Sequence, residues 1–212
     1  MPLNPIVKTR HVRRFLRLHK DPYYDALGRF VTAFSQVETT LLRALWTLAR
    51  LQAPYAQAVL SGVRIEGAMG LINRIADAEK WAPEKRQDWQ KIFAHIGLIN
   101  KLRNDILHYG TTVFGSVRVV SNEAVAHTPE RVREIHIAPK ILDKATEDLW
   151  DIFMFLMVLG GAEIYGRKPA TILRDLRRRK TWRYKQPPQA SWARTLDKAL
   201  QRQRRPRRSS RR

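Results

Sequence analysis

The chain has 212 residues, of which 44% are hydrophobic, so it can bury one sizeable core but is not expected to hold two full domains. It contains no cysteine, which excludes disulfides, thiolate metal sites and a cysteine nucleophile. Its 40 Lys and Arg outnumber its 19 Asp and Glu, and the net charge of +21 indicates a polyanionic partner, nucleic acid first and an anionic membrane surface second.

The positive charge is concentrated near the C-terminus. Residues 166–212 contain 18 basic and two acidic residues, a net charge of +16, which leaves +5 for residues 1–165. The N-terminal sequence lacks the apolar run of a signal peptide, and the longest apolar run, at 152–162, is too short to span a bilayer. We therefore expect a cytoplasmic protein that does not associate with a membrane.

Helical spacing of apolar residues begins after a basic N-terminal arm, residues 1–20. Asp21-Pro22 is a typical helix start, because proline is favoured at the first helical position. Apolar periodicity predicts three helical stretches here: one from Asp21-Pro22 to before Pro54, one over 54–80 that is interrupted near Ser61-Gly62, and one from Ala82-Pro83 to Gly110.

The periodicity changes after Gly110. TTVFGSVRVV and RVREIHI are rich in β-branched residues and predict the two strands of a hairpin at about 112–137. A further helix is expected from Ala138-Pro139 to about Gly160-Gly161, and Pro169 is expected to start a short basic helix. The predicted fold is all-α: an up-and-down bundle of four to five helices over 21–165, with a small β-hairpin insertion and a basic, partly disordered extension over 166–212.

A polar cluster lies at the end of the third helical stretch, in the sequence KLRNDILHYG. Asn104 and His108 share a helix face because they are four residues apart, whereas Arg103 and His108 are offset by about 140°. Only a long, flexible arginine head could therefore converge with the imidazole, unless the two groups meet across a subunit interface.

Arg103 interrupts an otherwise apolar helix stripe, and Glu38 interrupts a similar stripe on the first helix. An uncompensated buried charge is costly, so we expect Glu38 to lie near Arg103 and to orient it. Arg43 and Arg74 are competing partners for the same carboxylate. A surface position for Glu38, on a rotated helix, is the alternative.

The side chains of this cluster suffice to cleave RNA without a metal. Histidine can take or give a proton near neutral pH, and arginine can hold a phosphate through two hydrogen bonds. Asparagine can position the imidazole ring or the substrate by hydrogen bonding. The other histidines lack metal-ligand spacing, so neither a metal nor another cofactor is expected. The alternative is a polar helix end whose histidine caps carbonyl groups near Gly110.

The sequence RNDILH resembles the motif of the HEPN domains (higher eukaryotes and prokaryotes nucleotide-binding): an arginine, a polar residue that is often asparagine, a few more residues and a histidine, near the end of a late helix in an all-helical bundle. YYDALGRFVTAFSQVETTLL resembles the first helix of that family, and the resemblance covers roughly residues 21–163. It implies a metal-independent endoribonuclease whose composite site forms across a homodimer. Arg103, His108 and Asn104 would be the catalytic set, with Glu38, Asp105 and Tyr109 as supporting residues.

The resemblance also carries expectations about partners. Many family members are toxins, antiphage effectors or RNA-processing factors, which implies RNA as substrate and an antitoxin or other regulatory protein as a partner. Some members carry a tyrosine two residues after the histidine, where a nucleotidyltransferase modifies it. This chain has Gly110 there and Tyr109 one place earlier, which argues against membership of those pairs.

Aromatic residues alternate with cations in the basic extension, in the sequence TWRYKQ. Such a pattern favours single-stranded nucleic acid, through base stacking and phosphate contacts, whereas the alternative is a disordered tail that binds RNA without reading sequence. Two other functions stay open for the whole chain: a nucleic-acid-binding module without turnover, and a regulatory or structural protein. The predicted nucleic-acid-binding residues are Arg177, Arg178, Arg179, Lys180, Trp182, Arg183, Tyr184 and Lys185.

The remaining histidines and tryptophans are interpreted structurally. His95 is expected to be a partly exposed helix residue, and His136 is expected to lie on the polar or interface side of the sheet. The tryptophans at 46, 81, 89 and 150 are expected at the core and helix junctions.

Overall fold

The computed structural model describes residues 21–114, 117–128, 131–161 and 168–187, so the predicted arm 1–20 and the residues after 187 lie outside the described residues. The chain forms two compact units. The described residues of the first unit fall within 21–100 and 139–185, and those of the second are residues within 101–138 and residues 186–187.

The described chain is mostly helical and carries one small antiparallel sheet, as the sequence predicts. Each helix start that was predicted from a proline, at Pro22, Pro83, Pro139 and Pro169, is confirmed. The predicted interruption near Ser61-Gly62 separates two helices. The described helices are α1 (Pro22–Leu48), α2 (Ala53–Leu60), α3 (Ile65–Ala78), α4 (Pro83–His108), α5 (Pro139–Leu159) and α6 (Pro169–Arg178).

Local sequence explains where α1 begins and ends. The Asp21 side chain accepts a hydrogen bond of 2.9 Å from the Tyr23 backbone N–H, which satisfies one of the unpaired donors of the first turn. Beyond the last turn, Arg50 has a φ of 56°, in the left-handed region. A residue in this conformation commonly ends a helix, and Lys80 (φ 51°) stands in the same relation to α3.

The core of the first unit lies between amphipathic helices. Helix α1 packs against α3 and α5, and α6 packs against α5. Burying each large aliphatic or aromatic side chain contributes about 1.5–3 kcal/mol. The fully buried large residues of α1 and α5 include Phe30, Val37, Leu41, Leu142, Leu149 and Leu156.

Gly160 allows the end of α5 to approach α1 closely. A Cβ atom on Gly160 would lie 2.9 Å from the Ala44 Cβ and 3.0 Å from the Leu156 carbonyl oxygen. We expect Gly160→Ala to lower the free energy of unfolding by about 1–3 kcal/mol, because the backbones must move apart. Gly28→Ala, in the exposed middle of α1 with no atom within 4 Å of a new Cβ, is the control and should raise it by about 0.5–1 kcal/mol. Urea denaturation measures both, and equal midpoints would contradict this packing.

The second unit contains a three-stranded sheet in place of the predicted hairpin. Its strands are β1 (Gly110–Phe114), β2 (Val117–Ser121) and β3 (Glu134–His136) in the order β1-β2-β3. TTVFGSVRVV was expected to be one strand, but it forms two antiparallel strands in which Phe114 pairs with Val117. Val120 of β2 then pairs with Ile135 of β3, and both side chains are buried.

Candidate functional site

The predicted catalytic cluster lies on the last two turns of α4, in the part that belongs to the second unit. Arg103 and Asn104 are half-buried, and Arg103 Nη1 donates a hydrogen bond of 3.0 Å to Asn104 Oδ1. Asn104 thereby helps to fix the direction of the guanidinium. His108, the last residue of α4, is exposed, so its imidazole is accessible to a substrate.

Two of the predicted supporting residues lie beside this cluster. Asp105 is buried, and its backbone carbonyl accepts a hydrogen bond of 3.2 Å from the Tyr109 N–H. Burial raises the pKa of the Asp105 carboxyl, against the opposing charges of Lys101 and Arg133. The Asp105 side chain is therefore largely shielded from solvent.

The raised pKa of Asp105 makes the free energy of unfolding depend on pH. A carboxyl whose pKa is higher in the folded protein favours folding at low pH, and that contribution is lost as the pH rises through the folded-state pKa. We expect Asp105→Asn to unfold at a higher urea concentration than wild type at pH 7, with the difference shrinking towards pH 4. A variant that is less stable than wild type at pH 7 and matches it at pH 4 would contradict burial as the dominant effect.

Glu38, the third predicted supporting residue, is half-buried on α1. It belongs to the first unit and Arg103 to the second, and their pairing stays a prediction. Two structural predictions outside the cluster are wrong: His95 is 5% exposed instead of partly exposed, and Trp150 is 46% exposed instead of being a core residue. His136 is exposed on β3, as expected.

Half of the eight predicted nucleic-acid-binding residues contact acidic side chains of the first unit. We call residues 168–185 the docked segment. Arg177 donates to both Asp88 oxygens at 2.8–3.2 Å, and Arg179 Nη2 donates to Asp151 at 2.6 Å. Arg183 Nη1 donates to Asp148 at 3.1 Å, and Tyr184 is 1% exposed. Within this arrangement, Tyr184 is not accessible for stacking on a base.

A buried aspartate is the centre of the contacts that hold the docked segment. Asp148 of α5 is fully buried and accepts hydrogen bonds from His95 Nε2 at 2.9 Å and from the Tyr184 and Arg183 N–H groups at 2.8 and 3.2 Å. The Trp182 ring stacks on the His95 ring at 4.3 Å between centroids and 6° between planes. Sequence reasoning missed this cluster, although Asp148 lies next to the apolar stripe of α5.

The donors around Asp148 determine its ionisation. Burial opposes the charged form, but the hydrogen bond from His95 and the backbone hydrogen bonds from Tyr184 and Arg183 outweigh it. The pKa of Asp148 therefore lies below its ordinary value, and the carboxylate is charged at neutral pH. A buried carboxylate with this many donors is well suited to anchoring a segment.

The comparisons with known proteins identify no relative. The chain matches no protein-family model, no curated protein and no solved structure. In the part of the chain that the structure describes, no helix is both long and apolar enough to cross a membrane. Among the same residues, no three His, Asp or Glu side chains are grouped so that they could bind a metal ion.

Proposed function

We propose that this chain is a metal-independent endoribonuclease of the HEPN type, with a bundle fold and a composite site formed by two protomers. The observation that carries the proposal is the arrangement at the end of α4. There, Asn104 accepts a hydrogen bond from the Arg103 guanidinium, and His108 lies exposed about one turn later. An oriented guanidinium and an accessible imidazole are the groups that phosphodiester cleavage requires.

The chemistry follows from these two groups and from the RNA itself. The 2′-hydroxyl attacks the adjacent phosphorus while His108 takes its proton, so that an O2′–P bond forms. Arg103 donates hydrogen bonds to the non-bridging oxygens and stabilises the charge that develops there. The P–O5′ bond then breaks, and the 5′-oxygen takes a proton from water. The products are a 2′,3′-cyclic phosphate and a 5′-hydroxyl.

Two protomers are part of this proposal because of helix geometry. The offset of about 140° between Arg103 and His108 on α4 makes it difficult for both to reach one phosphate from the same chain. In a two-fold homodimer, Arg103 of one protomer meets His108 of the other, and symmetry provides two such pairs. Unrestrained cleavage of cellular RNA would make the protein a toxin or antiphage effector that requires an antitoxin or other regulator.

The reaction products test this proposal directly. The purified protein is incubated in EDTA with a labelled single-stranded RNA and, in parallel, with DNA of the same sequence. We expect cleavage of the RNA alone, with 2′,3′-cyclic phosphate ends, because the nucleophile is the 2′-hydroxyl. Intact RNA, cleavage of the DNA, or cleavage that EDTA abolishes would contradict the proposal.

A binding protein without turnover is the second candidate function. The observation that favours it is the charge of +21, most of which belongs to residues 166–212, away from the motif in the sequence. Electrostatic attraction to phosphates needs no catalytic group. The same incubation distinguishes the two candidates, because a binding module retards the RNA in a native gel and leaves its length unchanged.

A further inference from the structure

The cations of the docked segment from residue 174 onwards divide into two groups by their contacts. Arg177, Arg179 and Arg183 form ion pairs with acidic side chains of the first unit. Among the described residues, Arg174, Arg178, Lys180 and Lys185 form no ion pair, and all four are exposed. We call these four residues the exposed cation set. An exposed carboxylate, Asp175, lies among them in the sequence, so the set outnumbers it by three charges.

Helix α6 explains why two of these cations face outwards. Ile172 and Leu176 are buried, at 2% and 0% exposure. Arg174 and Arg178 each follow one of them by two residues, or about 200° around the helix, so they lie on the opposite side. The apolar face of α6 is thus already occupied by the first unit, and its outer face is cationic.

Several contacts fix the docked segment on the first unit. Lys91 Nζ donates a hydrogen bond of 2.6 Å to the Leu176 carbonyl oxygen, near the C-terminal end of α6, where a cation is favoured by the helix dipole. Asp88 binds Arg177, and Asp148 accepts from the backbone at 183 and 184. The exposed cation set is therefore held on an ordered surface, and an ordered charge loses less conformational entropy on binding than a charge on a free chain.

We propose that the exposed cation set is the surface by which this protein binds the phosphate backbone of RNA. The identity of the ligand as RNA rests on the proposed function. Neither aromatic residue beside these cations is available to stack on a base, because Tyr184 is buried and Trp182 stacks on His95. The arginines and lysines of the set are therefore expected to contact phosphates. A helix that binds a membrane surface inserts an apolar face between the lipids. Since α6 already buries its apolar face in protein, the surface fits RNA better than a bilayer.

The test measures binding separately from cleavage. The full chain carrying His108→Ala is titrated in EDTA with labelled single-stranded RNA at several salt concentrations. One variant adds Arg174→Gln, Arg178→Gln, Lys180→Gln and Lys185→Gln. A matched control adds Arg64→Gln, Arg74→Gln, Lys140→Gln and Lys144→Gln, which removes the same charge from exposed positions elsewhere on the first unit.

We expect the first variant to bind RNA at least about tenfold more weakly than the control, with a salt slope lower by roughly 0.7 for each phosphate that the variant no longer neutralises. Equal reductions of affinity in the two variants would show that net charge alone matters and would overturn the inference. The inference would also be overturned if the first variant bound phosphatidylserine vesicles more weakly than the control but bound RNA equally well. Because His108→Ala is present throughout, weaker RNA binding supports the surface even if the wild-type protein proves unable to cleave RNA.

Discussion

Replacing His108 with alanine is expected to slow RNA cleavage by about 10²–10⁴-fold, the usual contribution of a positioned general acid or base. Arg103→Ala is expected to cost about 10²–10³-fold, because it removes the donors that stabilise the charged phosphorane-like transition state. Initial rates of cleavage in EDTA, measured at saturating RNA, determine both values. Neither substitution should change the thermal midpoint much, since His108 is exposed and Arg103 is only half-buried.

Two control variants separate catalysis from general damage. His136→Ala removes another exposed histidine of the second unit and should leave the rate unchanged. Arg103→Lys keeps the positive charge but loses the two-pronged geometry of the guanidinium, so it should restore only part of the activity. If His108→Ala and His136→Ala cleave RNA at the same rate, the motif is not the catalytic site.

Asp148→Ala is expected to destabilise the protein by about 3–5 kcal/mol, because each buried hydrogen-bond donor that is left without an acceptor costs about 1–3 kcal/mol. The substitution leaves His95 Nε2 and the N–H groups of Arg183 and Tyr184 without their acceptor in a buried site. Urea denaturation measures the free energy of unfolding. Limited trypsin digestion gives a second measurement, because release of the docked segment would expose Arg179, whose side chain is 19% exposed, to rapid cleavage.

Asp143→Ala is the matched control for this prediction, since it removes an aspartate from the same helix. Asp143 pairs with Arg29 at 2.9 Å, but the two side chains are 43% and 57% exposed, so the loss of stability should be at most about 1 kcal/mol. A destabilisation by Asp148→Ala no larger than that of Asp143→Ala would contradict the anchoring role.

The pH dependence of Asp148 has a definite sign. Because its pKa is lowered in the folded protein, its contribution to stability is complete above the ordinary aspartate pKa of about 3.9 and is lost as the pH falls through the lowered value. Asp148→Asn should therefore have a lower free energy of unfolding than wild type from pH 5 to pH 7, and this difference should shrink only in stronger acid. A difference that shrinks as the pH rises towards 7 would contradict a lowered pKa for Asp148.

The helices were predictable because their signals are local. Proline at the first helical position and apolar residues at helical spacing depend on nearby residues alone, and both predicted α1, α4 and α5 correctly. The extra strand was also signalled locally. Gly115-Ser116 separates two β-branched runs by two residues, which indicates a hairpin, whereas the enrichment in β-branched residues alone predicts one strand.

The anchoring of the docked segment could not be predicted in the same way. Asp148 adjoins the apolar stripe of α5, so its burial could have been suspected from the sequence, as the apolar setting of Arg103 was. The partners of Asp148 could not be predicted, because the sequence offers many basic residues and the packing of the helices determines which of them lie near Asp148. The sequence TWRYKQ has the same composition whether its aromatic rings face a base or the protein interior. Only the fold shows that Tyr184 is buried.

Mixing two inactive variants tests the shared site most directly. Arg103→Ala and His108→Ala chains are co-expressed in equal amounts, and the cleavage of labelled RNA in EDTA is compared with that of each variant alone. If each site takes its arginine and histidine from different protomers, mixed dimers keep one intact pair, and the mixture should recover roughly a quarter of the wild-type rate. A mixture that contains mixed dimers and cleaves no faster than the separate variants would contradict this account.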